Sequence, residues 1–289
     1  MYKYLFVVLF LSFSKSLAQD STMVALDSVP EKRWDVSVDL VSRYIWRGQA
    51  YGGNTPAVQP AFNYALADKW TVGVWGTTNF RDQYYYSDDV TPNNAYQEFD
   101  LGVSYQINDF MSISVWDYYW PSWHRLEGED KSYFNYGVDG AKTVDATLEF
   151  DFSEGFKYPF NATISTFILG NDFRYDASGE NPKQNFTTYV EAGYTFYDIF
   201  KLLTASPILK NINLDPSIGA VLNNQAGYYE AADYDRISFI NMAVSANREF
   251  DLGQGLTMPV SLNYTHNAAS RNTEVDGTDF LTVGVSLYL

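Results

Sequence analysis

The chain has 289 residues, a formal net charge of −16 and no cysteine. The missing cysteines exclude disulfides, thiolate metal centres and cysteine nucleophiles, and the acidic balance speaks against nucleic acid as a partner. Aromatic residues make up 18% of the chain, with 24 Tyr and 20 Phe, an excess that suits surfaces wet at one end and apolar at the other, such as a membrane interface.

Lys3 precedes an unbroken apolar run from Leu5 to Leu11, and Ser16-Leu17-Ala18 supplies the small residues of a cleavage site. This pattern predicts a signal peptide over residues 1–18, with Gln19 as the new terminus. The apolar run is too short for a membrane helix, which needs about 20 apolar residues. Residues 19–33 read as a polar tether, and residues 34–289 as one domain.

From Trp34 the chain alternates. Trp34, Val36, Val38, Leu40, Ser42, Tyr44 and Trp46 form a mostly apolar row, against the mostly polar Asp35, Ser37, Asp39, Val41, Arg43, Ile45 and Arg47 on the other. Side chains two apart share one face of a strand, so this first strand meets two unlike environments. The pattern recurs over Tyr96–Ile107, Thr143–Phe152 and Leu281–Leu289. Weaker candidates fill the gaps: Thr55–Leu66, Trp70–Phe80, Met111–Trp120, Phe160–Leu169, Phe186–Tyr197, Ile212–Leu222, Arg236–Asn247 and Leu256–Asn267. Two strands are flawed, since Asp117 interrupts an apolar face and Arg236–Asn247 is apolar on both; each flaw reads as a bulge or a misplaced boundary.

The connections alternate as well. Ala67–Lys69, Asn108–Phe110, Ser153–Pro159 and Arg248–Gly255 are short, whereas Arg81–Ala95, Pro121–Lys142, Gly170–Asn185, Asn223–Asp235 and Ala268–Asp279 are longer. Two break the rule: the first outer loop, Gly48–Asn54, is short, and the turn Asp198–Asn211 is long, forming either a helical plug or an irregular loop. Long strands, aromatic strand ends (Trp34, Tyr44, Trp46, Trp70 and Phe80 read as interfacial girdles) and this asymmetry predict an all-β fold. It is a transmembrane antiparallel up-and-down barrel of twelve strands in a Gram-negative outer membrane, rather than a soluble sandwich. Outer-membrane lipid is then one partner.

Ser42-Arg43-Tyr44-Ile45-Trp46-Arg47-Gly48-Gln49 resembles the aromatic-x-aromatic-Arg-Gly motif of the TorF-family porins. Pro56–Pro60 and Val72-Gly73-Val74-Trp75-Gly76, running on to Thr78-Asn79-Phe80, echo the same family's next strands. The resemblance covers roughly the first 50 residues of the domain. It implies an outer-membrane barrel and a channel, with selectivity left open.

On the polar faces, Asp35, Asp39, Arg43, Arg47, Glu98, Asp100, Asp145, Glu149, Asp151 and Glu191 are candidate pore-lining residues. Arg43 and Arg47 either set a charge gradient for solutes or pair with inward acids to brace the wall; filled small barrels favour bracing. Gly48 reads as a tight-turn residue and nothing more. The excess of inward acids predicts a preference for cations. The expected function is passive diffusion of small hydrophilic solutes; the alternative is a filled, non-conducting barrel with a structural or surface-binding role, blocked by Trp75, Trp116 and Trp120. Catalysis is not expected: His124 and His266 have no evident partner in sequence, and no nucleophile, metal or cofactor motif is present. Tyr84, Tyr85, Tyr86, Trp120 and Trp123 read as interfacial, and the acid pairs Asp88-Asp89 and Glu129-Asp130 lack the spacing of a calcium loop.

Overall fold

A strand with one apolar and one polar row is stable only between two different solvents, and closing a sheet on itself provides them while removing its edges. The computed structural model describes residues 33–79, 95–121, 132–201, 203–204, 206, 209–229, 236–253, 256–269 and 277–288. Sixteen strands and one short helix follow in chain order: β1 (Trp34–Val41), β2 (Tyr44–Trp46), β3 (Gln49–Tyr51), β4 (Ala57–Ala67), β5 (Trp70–Asn79), β6 (Gln97–Asn108), β7 (Met111–Tyr119), β8 (Lys142–Asp151), α1 (Phe152–Phe156), β9 (Phe160–Gly170), β10 (Phe173–Arg174), β11 (Lys183–Gln184), β12 (Thr188–Tyr194), β13 (Asn213–Val221), β14 (Ser238–Gly253), β15 (Leu256–His266) and β16 (Asp279–Tyr288). Twelve of the strands form a closed antiparallel barrel in the order β1, β16, β15, β14, β13, β12, β9, β8, β7, β6, β5, β4. The seam pairs Leu40 with Val285 on one side of β1 and with Val58 on the other.

Burial runs opposite to that of a soluble domain. Leu40, Phe62, Leu101, Ile164, Ile218, Leu262 and Leu281 stand exposed on the outer face, while Ser37, Asn63, Asp100, Ser114, Asp145, Glu149 and Ser286 are buried inside. Such a belt is stable only against hydrocarbon, which makes this an outer-membrane β-barrel. No helix among the described residues is long and apolar enough to cross a membrane, so the crossing is made by strands.

Trp34 lies opposite Tyr64, and Tyr288 opposite Ser37, so β1 starts and β16 finishes at the end of the short turns, the periplasmic end in this architecture. Aromatic rings crowd that rim. Trp70 and Tyr105 lie 4.8 Å apart, and Phe110, Phe150, Phe152, Phe156 and Phe160 contact one another in a chain. Helix α1 turns the chain there: Asp151 caps it by accepting the Ser153 N–H at 3.0 Å, and Lys157 ends it in the left-handed region.

Five sequence expectations need correction. The first strand stops at Val41, and the segment beyond it folds into the barrel as the β2–β3 hairpin. Tyr44 and Trp46 are therefore buried inside rather than set in a lipid girdle. β14 extends to Gly253, so the predicted turn after Asn247 is largely strand. Its apolar double face does come from a bulge: opposite Gly219 and Ala220 the register skips Ile240, which turns inward and is fully buried. In the long periplasmic turn, described residues form hydrogen-bonded turns around Phe200, and Leu203 is 79% exposed, so that side chain plugs nothing. Leu202 and Pro207 lie outside the described residues.

Asp117 is no bulge either, because β7 keeps register with both neighbours through it. It stands on the outer face near the extracellular rim, where Lys142 Nζ reaches its carboxylate at 2.5 Å and the Tyr136 hydroxyl donates to it at 3.0 Å. The ammonium also sits 3.3 Å from the centroid of the Tyr133 ring. A charged group facing apolar surroundings is tolerated when paired and costly when its partner is removed. Lys142→Met is therefore expected to destabilise the barrel by roughly 2 kcal/mol, read as a lower urea midpoint for the heat-modifiable gel band. The double variant D117L/K142M should recover most of that loss.

Candidate functional site

The barrel's distinctive feature is what fills its outer half. Leaving the wall at Ser42, the chain pairs Tyr44 with Tyr51, Ile45 with Ala50 and Trp46 with Gln49. Arg47 and Gly48 form the tip, with φ of 48° and 74°, the twist that a two-residue hairpin turn needs. The hairpin enters the lumen and is held from the wall on both sides of β1. Asn267 donates to the Gly48 carbonyl at 3.0 Å, and Asn79 donates to the Gly52 carbonyl at 2.6 Å. Gly48 lies so close to β14 that a Cβ there would stand 1.7 Å from the Ile240 carbonyl oxygen. This glycine does more than turn the chain.

Arg47 fixes the tip. Its guanidinium donates to Asp145 at 2.8 Å, Ser165 at 2.6 Å and the Tyr229 hydroxyl at 2.8 Å. The Ser165 hydroxyl donates to Asp145 in turn, and the Tyr118 hydroxyl reaches the same carboxylate at 3.2 Å. The pair is 10% and 0% exposed at its side chains, and the guanidinium plane is flanked by the rings of Trp46 and Tyr189 at 4.4 and 4.9 Å. A planar fork serving several acceptors is what arginine supplies and lysine does not.

Around the tip lies an aromatic layer. Trp46 meets Tyr118, Phe167 and Tyr229 at ring separations of 5.7, 6.5 and 5.9 Å. Tyr44 meets Trp75 at 5.6 Å. Tyr229 comes from the connection after β13 and is fully buried, its backbone N–H bonded to the Asn224 side chain at 3.1 Å.

Below the hairpin the interior changes character, opening into a cavity of about 320 Å³ whose wall runs from Tyr44 and Trp46 to Asn161 and Gly193, near the periplasmic ends of β9 and β12. Asp39, Glu98, Asp100, Glu149, Glu191 and Asp215 line it, against Arg43 and Arg47. Arg43 is turned upward, donating to the Gly53 carbonyl at 3.1 Å with its guanidinium 4.9 Å from the Phe280 ring centroid. Glu191 accepts from Asn241 at 2.6 Å and from the Tyr189 hydroxyl.

Of the ten residues singled out in sequence, Asp39, Arg43, Arg47, Glu98, Asp100, Glu149 and Glu191 meet at this cavity. Asp145 sits behind Arg47 in the wall, Asp35 accepts from Asn63 at 3.0 Å, and Asp151 caps α1. Sequence reasoning missed Asp215, held by Asn247 at 2.6 Å; its place in the polar row of β13 was the available signal. It also missed Tyr229 and Ile240, for which the sequence carries no signal. His266 does have a partner: its Nδ1 lies 2.9 Å from Asp279, which also accepts from Tyr264 and Thr278. The pair is exposed, outside the cavity. His124, Tyr84, Tyr85, Tyr86, Trp123 and the acid pairs Asp88-Asp89 and Glu129-Asp130 lie outside the described residues.

Residues 30–143, the stretch that contains the hairpin, match a family model described as a bacterial protein of unknown function (Gcw_chp). No curated protein matches the chain. Solved structures similar to it include the NanC porin, at 10% identity, 88% coverage of this chain, 98% of that chain and a TM-score of 0.42. An outer membrane channel from Pseudomonas putida F1 aligns at 8% identity over 93% of this chain and 99% of that one, with a TM-score of 0.44. LpxR from Salmonella typhimurium aligns at 10% identity over 88% and 99%, with a TM-score of 0.39.

Proposed function

We propose that this barrel is a channel for passive diffusion of small hydrophilic solutes, cation-preferring, with the β2–β3 hairpin as the constriction at its outer mouth. The observation that carries the reading is the polar cavity beneath the hairpin, where six carboxylates face two guanidiniums. A low-dielectric wall focuses the field of such a ring on whatever enters. Export through a signal peptide over residues 1–18 belongs to the same reading, as does kinship with the TorF-family porins, since the Arg-Gly motif forms the hairpin's tip. We assign no catalytic role: His266 is paired with Asp279 and faces away from the cavity.

The test is single-channel recording in planar bilayers with potassium chloride at unequal concentrations on the two sides. The reversal potential is expected to carry the sign of cation selectivity, and the double variant E149Q/E191Q to move it towards zero. Anion selectivity of the unaltered protein would overturn the preference. The aromatic layer around Trp46 favours a second reading, a filled barrel with a structural or surface-binding role, and the absence of conductance steps at any voltage would establish it in place of the channel.

A further inference from the structure

Within the cavity one group of side chains has a more specific complementarity than a ring of charge. Glu98 and Asp100 are two apart on β6 and both line the cavity. Asp100 is cross-strand neighbour to Trp75 on β5 and to Tyr118 on β7, so aromatic rings flank its carboxylate on both sides. Trp116 faces Gly102 across the β6–β7 pair. A Cβ on that glycine would stand 2.5–2.6 Å from three atoms of the indole. The ring therefore lies flat against the wall, and it too lines the cavity.

The carboxylates have little to answer them. Asp100 is 4% exposed and, among the described residues, accepts one hydrogen bond, the Tyr119 backbone N–H at 3.3 Å. Glu98 accepts from the Tyr96 hydroxyl at 2.8 Å. The nearby cations are engaged elsewhere: Arg47 with Asp145, Arg43 with the Gly53 carbonyl, and Lys142 with Asp117 on the outer face. Carboxylates set beside half-buried aromatic rings in one cavity match a cation with an apolar shell, because the acids supply its counter-charge and a ring face attracts a cation. A metal ion fits less well, since no group of three His, Asp or Glu suited to holding one occurs among the described residues.

We propose that the lumen carries a binding site for a small organic cation, an alkylated ammonium or guanidinium, formed by Glu98, Asp100, Trp75, Tyr118 and Trp116. The proposal rests on the channel reading for the solute's route to the site. Calorimetric titration of the full chain in detergent with tetramethylammonium chloride, at ionic strength held constant with sodium chloride, tests it. Saturable binding is expected, competed by methylguanidinium and weakened at least tenfold in E98Q/D100N. The heat-modifiable gel band shows whether that variant is folded, and W116L supplies a second variant with both carboxylates intact, expected to bind several-fold more weakly. No saturable binding by the unaltered protein, competition by sodium as effective as by methylguanidinium, or equal affinity in the folded variants would overturn it. Conductance separates the two readings: a protein that conducts without binding sinks only the site, and one that binds without conducting sinks only the channel.

Discussion

Replacing Arg47 with alanine is expected to raise single-channel conductance several-fold, because the guanidinium is what keeps the β2–β3 hairpin inside the barrel. It joins the tip to β8 through Asp145, to β9 through Ser165 and to the connection after β13 through Tyr229. Removing one member of a buried ion pair costs about 3–5 kcal/mol, since the other is left uncompensated. A hairpin of two three-residue strands has little of its own to set against such a loss. The equilibrium between seated and displaced hairpin should shift by two to three powers of ten, at roughly 1.4 kcal/mol for each. Arg47→Lys should fall between, because a lysine keeps the charge but not the fork that meets three acceptors. Unchanged conductance together with an unchanged unfolding temperature in R47A would show that the hairpin is held by its aromatic neighbours alone.

The barrel was legible in sequence because its strands lie between two solvents, and the alternation records both. β6 and β8 read correctly for that reason: Phe99 and Leu101 face out, Asp100 and Asp145 face in. The same logic failed at the hairpin. Tyr44 and Trp46 continue the apolar row of β1 with only Ser42 between, and an aromatic ring suits a lipid interface and a filled lumen equally. The alternation reports that a face is apolar, not which apolar medium covers it. Asp117 was unreadable because its partner Lys142 lies 25 residues away. For the site, alternation found the carboxylates, since polar inward rows are its direct output. Tyr229 and Ile240 escaped because one arrives from a connection and the other turns inward at a bulge, and neither follows a period of two.

Gly48→Ala isolates the hairpin's seating from its charge. The added methyl would stand 1.7 Å from the Ile240 carbonyl oxygen and 2.6 Å from its carbon, both backbone atoms of β14. No rotamer relieves such a contact, so either β14 or the tip must move by more than an ångström, and the tip is the element without a closed sheet behind it. Moving it also breaks the bond from Asn267 to the Gly48 carbonyl and draws Arg47 away from Asp145. G48A should therefore reproduce the larger conductance of R47A while leaving every charge in place. The control is Gly53→Ala. That residue has a similar φ of 66° with open space where the Cβ would go, so it carries only the left-handed backbone cost of roughly 1–2 kcal/mol and should conduct as the unaltered protein does. Because both tip substitutions release one element, R47A/G48A should conduct no more than the larger of the two single variants. An additive rise in the double variant, or equal behaviour of G48A and G53A, would mean that the close approach to Ile240 does not hold the hairpin in the lumen.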